Sequence, residues 1–152
     1  MINYFTNYRT SYSWSWQYGY KETINYIRDN YSKYDRIIMT KKYGEPHEFM
    51  LFYMPWDIAK YQNDPSAIKF YQSEWYWVDR FDKFYFVNDW QIPKGVGIFI
   101  LESRGETVDC TNSLVRCLLI TSPGKSPLNW KRLTTINFLN NDPAFEIYDN
   151  LR

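Results

Sequence analysis

A single histidine, His47, lies in the run Tyr43-Gly44-Glu45-Pro46-His47-Glu48, so every histidine-dependent mechanism in this chain passes through it. Glu45 or Glu48 could orient its imidazole or share a proton with it, the pattern of a small hydrolase or transferase. The run follows an apolar segment and precedes a helix-like one, which places it where open α/β sheets bind ligands and helix N-termini favour anions. The plainer reading is a solvated polar residue in a first helical turn. A Ser-His-Asp triad finds no nucleophile elbow, because no Gly-x-Ser-x-Gly occurs. Gly95-Val96-Gly97 lacks the third glycine of a dinucleotide loop, and Gly124-Lys125-Ser126 lacks the upstream glycine of a phosphate loop. Asp79, Asp82 and Asp89 supply the paired acids that glycoside hydrolysis needs, but their spacing does not make any two converge. They read as solvated charges.

The stretch Trp75-Tyr76-Trp77-Val78-Asp79-Arg80-Phe81 offers binding chemistry. An extended backbone puts Trp75 and Trp77 on one side, where flat indoles stack on sugar rings while Asp79 and Arg80 hydrogen-bond at the edge. The alternative is that these rings pack on a sheet or against a partner domain. The candidate binding residues are therefore Tyr43, Glu45, His47, Trp75, Trp77, Asp79 and Arg80. No catalytic residue is assigned, and no cofactor is expected. No metal is expected either, since two cysteines and one distant histidine fall short of the usual four zinc ligands.

Aromatic residues make up 21% of the 152 residues, and Tyr alone occurs 15 times. Rings that carry one polar atom suit half-wet surfaces facing sugar, another domain or a membrane interface. Hydrophobic residues at 45% and charged residues at 23% describe a folded chain long enough for one sizeable core. The net charge of +1, with acids interleaved among the lysines, argues against nucleic acid as a partner. No apolar run approaches the roughly 20 residues that span a bilayer, and Met1 leads into Ile2-Asn3-Tyr4-Phe5 without a signal-peptide pattern. Cys110 and Cys117 are either two reduced thiols or a disulfide closing a short loop, which needs an oxidising compartment.

The elements that position these residues follow from periodicity and punctuation. Residues 1–15 read as an irregular lead-in and 16–152 as a single domain. Ser15 caps a helix from Trp16, with Tyr20, Ile24, Ile27 and Tyr31 on its buried face. Residues 35–40 form a buried strand. Pro46 opens a second helix with Phe49, Phe52, Tyr53 and Trp56 as its apolar stripe, Asp57 caps a short turn, and Asp64-Pro65 starts a helix through Ile68 and Tyr71. Strands are expected at 83–88, 98–102, 117–121, 133–138 and 144–148, with a helix at 126–131. The order predicts an α/β fold, a small three-layer sandwich with a mainly parallel sheet and an antiparallel C-terminal hairpin.

Several segments resemble a known family. The run Tyr4-Phe5-Thr6-Asn7-Tyr8, followed by Trp16-Gln17-Tyr18-Gly19-Tyr20-Lys21-Glu22, is similar to the segment after the last transmembrane helix of certain prokaryotic membrane glycosyltransferases. Lys41-Lys42-Tyr43-Gly44-Glu45-Pro46, Asp57 with Lys60-Tyr61-Gln62, and Ala144-Phe145-Glu146-Ile147-Tyr148 look like the same C-terminal soluble region. These enzymes resemble the protein mannosyltransferases of glycosyltransferase family 39, of GT-C architecture; residues 95–116 fit least. The resemblance implies a polyprenyl-phosphate-sugar donor and an acceptor at the extracytoplasmic face, with the catalytic Asp in a membrane-helix loop outside this chain. This domain's partners would be the transmembrane portion of the same parent and a glycan or lipid-linked sugar, in a compartment that permits the Cys110–Cys117 bond. Beside this expectation stand a free-standing carbohydrate-binding module built on Trp75, Trp77 and Tyr71, and the His47 enzyme.

Overall fold

Pairing of short apolar runs produces the architecture. The computed structural model describes residues 7–92 and 96–150, so the first six residues of the expected lead-in and Gly95 lie outside it. The helices are α1 (Arg9–Ser11), α2 (Tyr20–Asn30), α3 (Pro46–Tyr53) and α4 (Ile58–Gln62). The strands are β1 (Arg36–Thr40), β2 (Ile68–Gln72), β3 (Trp75–Phe81), β4 (Phe84–Val87), β5 (Ile98–Ile100), β6 (Thr107–Asp109), β7 (Cys117–Thr121), β8 (Lys131–Asn137) and β9 (Pro143–Asp149).

Seven strands form one mixed sheet in the order β2-β3-β4-β1-β7-β9-β8. Its centre is parallel, with β1 between β4 and β7; antiparallel strands complete both edges, and β8 and β9 make the C-terminal hairpin. The fold is α/β, as the order of elements predicts. Alternate residues of the central strands feed two cores. Ile37, Met39, Phe84, Phe86, Leu118 and Ile120 pack with Ile24 and Ile27 of α2 and Met50 of α3. Ile38, Val87 and Leu119 pack instead with Phe99, Leu101 and Val108. The third layer is thus the β5–β6 ribbon, not helices.

Several local expectations are corrected. Helix α2 starts at Tyr20 rather than Trp16, because Gly19 adopts φ +101, a left-handed backbone that breaks the helical path just before Tyr20. The fully buried residues of α3 are Pro46, His47 and Met50; of the expected stripe, Phe49, Tyr53 and Trp56 pack at the margin of the core, and Phe52 alone points outward at 79% exposed. Asp64 accepts from the Ser66 backbone and hydroxyl, closing a turn; no helix follows, and Ile68–Gln72 pairs with β3 instead. The helix expected at 126–131 is a turn with Asn129 at φ 66, after which Trp130 packs edge-on against Phe99 at 6.0 Å. Asp57 does cap α4, accepting from the Ala59 and Lys60 amides.

Cys110 and Cys117 form a disulfide, both half-cystines buried, which ties the end of the β6 segment to the start of β7. Among the described residues no helix is long and apolar enough to cross a membrane.

Candidate functional site

The carboxyl end of β1 runs directly into the segment that carries most of the candidate residues. Gly44 takes φ +115, and its open α-carbon face is occupied by the Gln17 amide, which donates to the Tyr43 carbonyl at 2.8 Å. This turn delivers Glu45 as the N-cap of α3 and Pro46 as its first residue. On the other side, β2 and β3 are joined by the two-residue turn Ser73-Glu74, at φ 50 and 67, which carries Trp75 and Trp77 back alongside. The result is a cavity of 310 Å³ lined by Gln17, Gly44, Glu45, Glu48, Phe49, Trp75 and Trp77.

Of the candidate binding residues, which come from two separate segments, the structure brings Glu45, Trp75 and Trp77 together around this cavity. The other candidates go elsewhere. The Tyr43 ring is a core element, edge-on to Phe138 and Phe145 at 5.6 and 5.1 Å. Arg80 lines a separate cavity of 480 Å³ with Asp64 and Asp82, and its guanidinium lies 5.1 Å from the Tyr85 ring centroid. Asp79 is no solvated acid: it is fully buried, paired with Lys41, and accepts from the Ser103 amide and hydroxyl at 2.8 and 2.6 Å. Two donors and an ammonium offset the cost of burying its charge.

His47 is likewise not solvated. It is 4% exposed, its ring between Tyr76 and Phe86. Burial, and then the Lys41 charge, lowers its pKa from 6.5 to about 4, so it is a neutral imidazole at physiological pH. Its Nε2 is 3.9 Å from Glu45 Oε2, beyond hydrogen-bond reach. Glu45 is pushed upward, first by burial and then by the Glu48 charge, and its Oε1 is buried without a hydrogen-bond partner. Glu45, His47 and Glu48 bring their donor atoms within 4.8 Å of one another, a group that could hold a metal ion and that spacing alone did not reveal. The neighbouring Lys41 ammonium opposes a cation at the imidazole itself.

A second polar centre escaped the sequence reading. Asp89, expected to be solvated, sits beyond β4 and accepts from Thr40 Oγ1 of β1 at 3.0 Å and Ser122 Oγ, just past β7, at 2.6 Å. Lys125 and Lys42 approach its other oxygen at 3.4 and 3.8 Å. One carboxylate thus ties together the carboxyl ends of the three parallel strands. Only the parallel pairing of β1 with β4 and β7 announces it.

No protein-family model, curated protein or solved structure matches this chain.

Proposed function

We propose that this chain is the accessory extracytoplasmic domain of a prokaryotic membrane glycosyltransferase, similar to glycosyltransferase family 39, that uses a polyprenyl-phosphate-sugar donor. In this reading the domain docks on the membrane part of its parent, helps hold acceptor or donor, and does not catalyse transfer alone. The observation that carries it is the segment before α2. There Tyr12, Trp14 and Trp16 are 46%, 56% and 67% exposed, and Arg9 is the sole charged residue in residues 7–19. Rings with a single polar atom and no carboxylate suit a surface that faces protein at one end and headgroups at the other. The aromatic cavity beside Glu45 supports a role in holding a sugar.

The test is the natural reading frame and its product. Hydrophobic spans encoded upstream, recovery of the full product in the membrane fraction, and no sugar transfer by residues 1–152 alone are expected. A complete frame starting at Met1, or turnover of a lipid-linked sugar by this chain alone, would overturn the proposal.

One observation favours a second reading, a free-standing carbohydrate-binding module: Trp75 and Trp77 line the same cavity. A glycan panel followed by Trp fluorescence decides it, and silence across oligosaccharides counts against it. The His47 enzyme finds less support, because the imidazole is enclosed by rings and does not line that cavity.

A further inference from the structure

The cavity beside α3 has a composition that selects charge as well as shape. Its seven lining residues include three aromatic rings, Phe49, Trp75 and Trp77, two carboxylates, Glu45 and Glu48, and one amide, Gln17; none is basic. The cation behind it, Lys41, is already engaged in an ion pair with Asp79, with 2% and 0% of the two side chains exposed. The Lys41 ammonium lies 5.4 Å from the Trp77 ring centroid, which shows this indole already facing a cation on the protein side. Both glutamates line the cavity without a cationic partner among the lining residues: Glu48 is exposed, and the half-buried Glu45 holds its Oε1 out of water without a hydrogen-bond partner. Indole faces attract cations through the ring quadrupole, and carboxylates beside them add charge and hydrogen bonds.

We propose that this cavity binds a small organic ammonium ion, held between Trp75 and Trp77 and paired with Glu45 and Glu48. A volume of 310 Å³ accommodates a choline-sized cation or one amino sugar ring. Gln17 and the glutamates supply hydrogen bonds to hydroxyls if the cation sits on a sugar. The inference needs only the cavity and stands whether or not the chain belongs to a transferase.

The experiment is a titration of the whole chain by calorimetry, with indole NMR signals as the second readout. The probes are tetramethylammonium, choline, glucosamine, glucose, N-acetylglucosamine and Mg²⁺. Saturable binding of the ammonium probes, with no response to glucose or N-acetylglucosamine, is expected; choline against glucosamine tells a free quaternary cation from an amino sugar. Trp75→Ala and Glu48→Gln change exposed residues, and each is expected to weaken ammonium binding about tenfold while the fold, checked by circular dichroism, is retained. Absence of saturable binding by every ammonium probe overturns the proposal. So does equal binding of glucose, which makes the site a neutral sugar platform, or tighter binding of Mg²⁺, which makes it a metal site. Unchanged affinity in both folded variants overturns it as well, by placing the ammonium elsewhere.

Discussion

Lys41, one residue past β1, and Asp79, within β3, form an ion pair that is almost wholly removed from water, with 2% and 0% of their side chains exposed. They are 38 residues apart in sequence. The pair joins the parallel centre of the sheet to its antiparallel edge, directly behind the aromatic cavity. Phe70 and Trp77 flank the ammonium at 5.3 and 5.4 Å.

Removing one partner leaves the other charge buried and unpaired. Asp79→Ala is expected to destabilise the fold by about 3–5 kcal/mol. The double variant Lys41→Met/Asp79→Leu should recover most of that loss, since Ser103, which loses Asp79 as acceptor, is an exposed residue that water can reach. Urea unfolding of the single and double variants measures both, and a double variant no better than Asp79→Ala refutes the unpaired-charge account.

Gly44 lines the cavity beside Gln17. A Cβ there would lie 2.4 Å from Gln17 Nε2, on a backbone at φ +115. Gly44→Ala is expected to cost about 1–3 kcal/mol through strain and to displace Gln17 from the Tyr43 carbonyl. A thermal midpoint unchanged from the parent protein would show that the turn tolerates a side chain.

The pH dependence of stability follows from His47. Its folded pKa, lowered from 6.5 to about 4, means that the unfolded chain binds a proton the folded chain refuses between those values. The stability it contributes is complete above 6.5 and is lost as pH falls through that window toward 4. Glu45, raised from 4.5, works in the opposite sense: its contribution is present below that value and lost as pH rises through the raised pKa. His47→Phe, which keeps a ring between Tyr76 and Phe86, is expected to flatten the acid limb. Denaturant midpoints between pH 4 and 7 are the measurement, and an acid limb as steep as the parent's refutes the assignment.

Reduction tests the Cys110–Cys117 bond. Its loop is short, so opening it should cost about 2.5 kcal/mol on chain-entropy grounds. The loss should appear as a lower urea midpoint in reductant. Identical midpoints with and without reductant would show that the bond adds nothing.

The β2–β3 turn carries strain that glycine relieves. Glu74 holds φ 67 and is exposed. Glu74→Gly is expected to raise stability by about 1 kcal/mol, read as a higher thermal midpoint.

That same turn shows where sequence reading stopped. Ser73 and Glu74 lack the Asn-Gly or Gly-containing signature of a two-residue hairpin turn, so nothing local announced β2 and β3, and Asp64-Pro65 suggested a helix instead. Other local signals held: Ile24 and Ile27 line the buried face of α2, Asp57 caps α4, Pro46 opens α3, and the run from Cys117 to Thr121 is buried throughout.

The amino-acid order by itself determined the α/β class, the central strands and the gathering of rings around residues 75–77, because periodicity and capping act within a few residues of chain. Only the tertiary structure decided which acids are buried and what they meet. Asp79 finds Lys41, Asp89 finds Thr40 and Ser122, and Glu45 finds the two tryptophans, each across tens of residues. The charge of a carboxylate is written in its type. Its solvation depends on which strands lie side by side, and no local pattern carries that information.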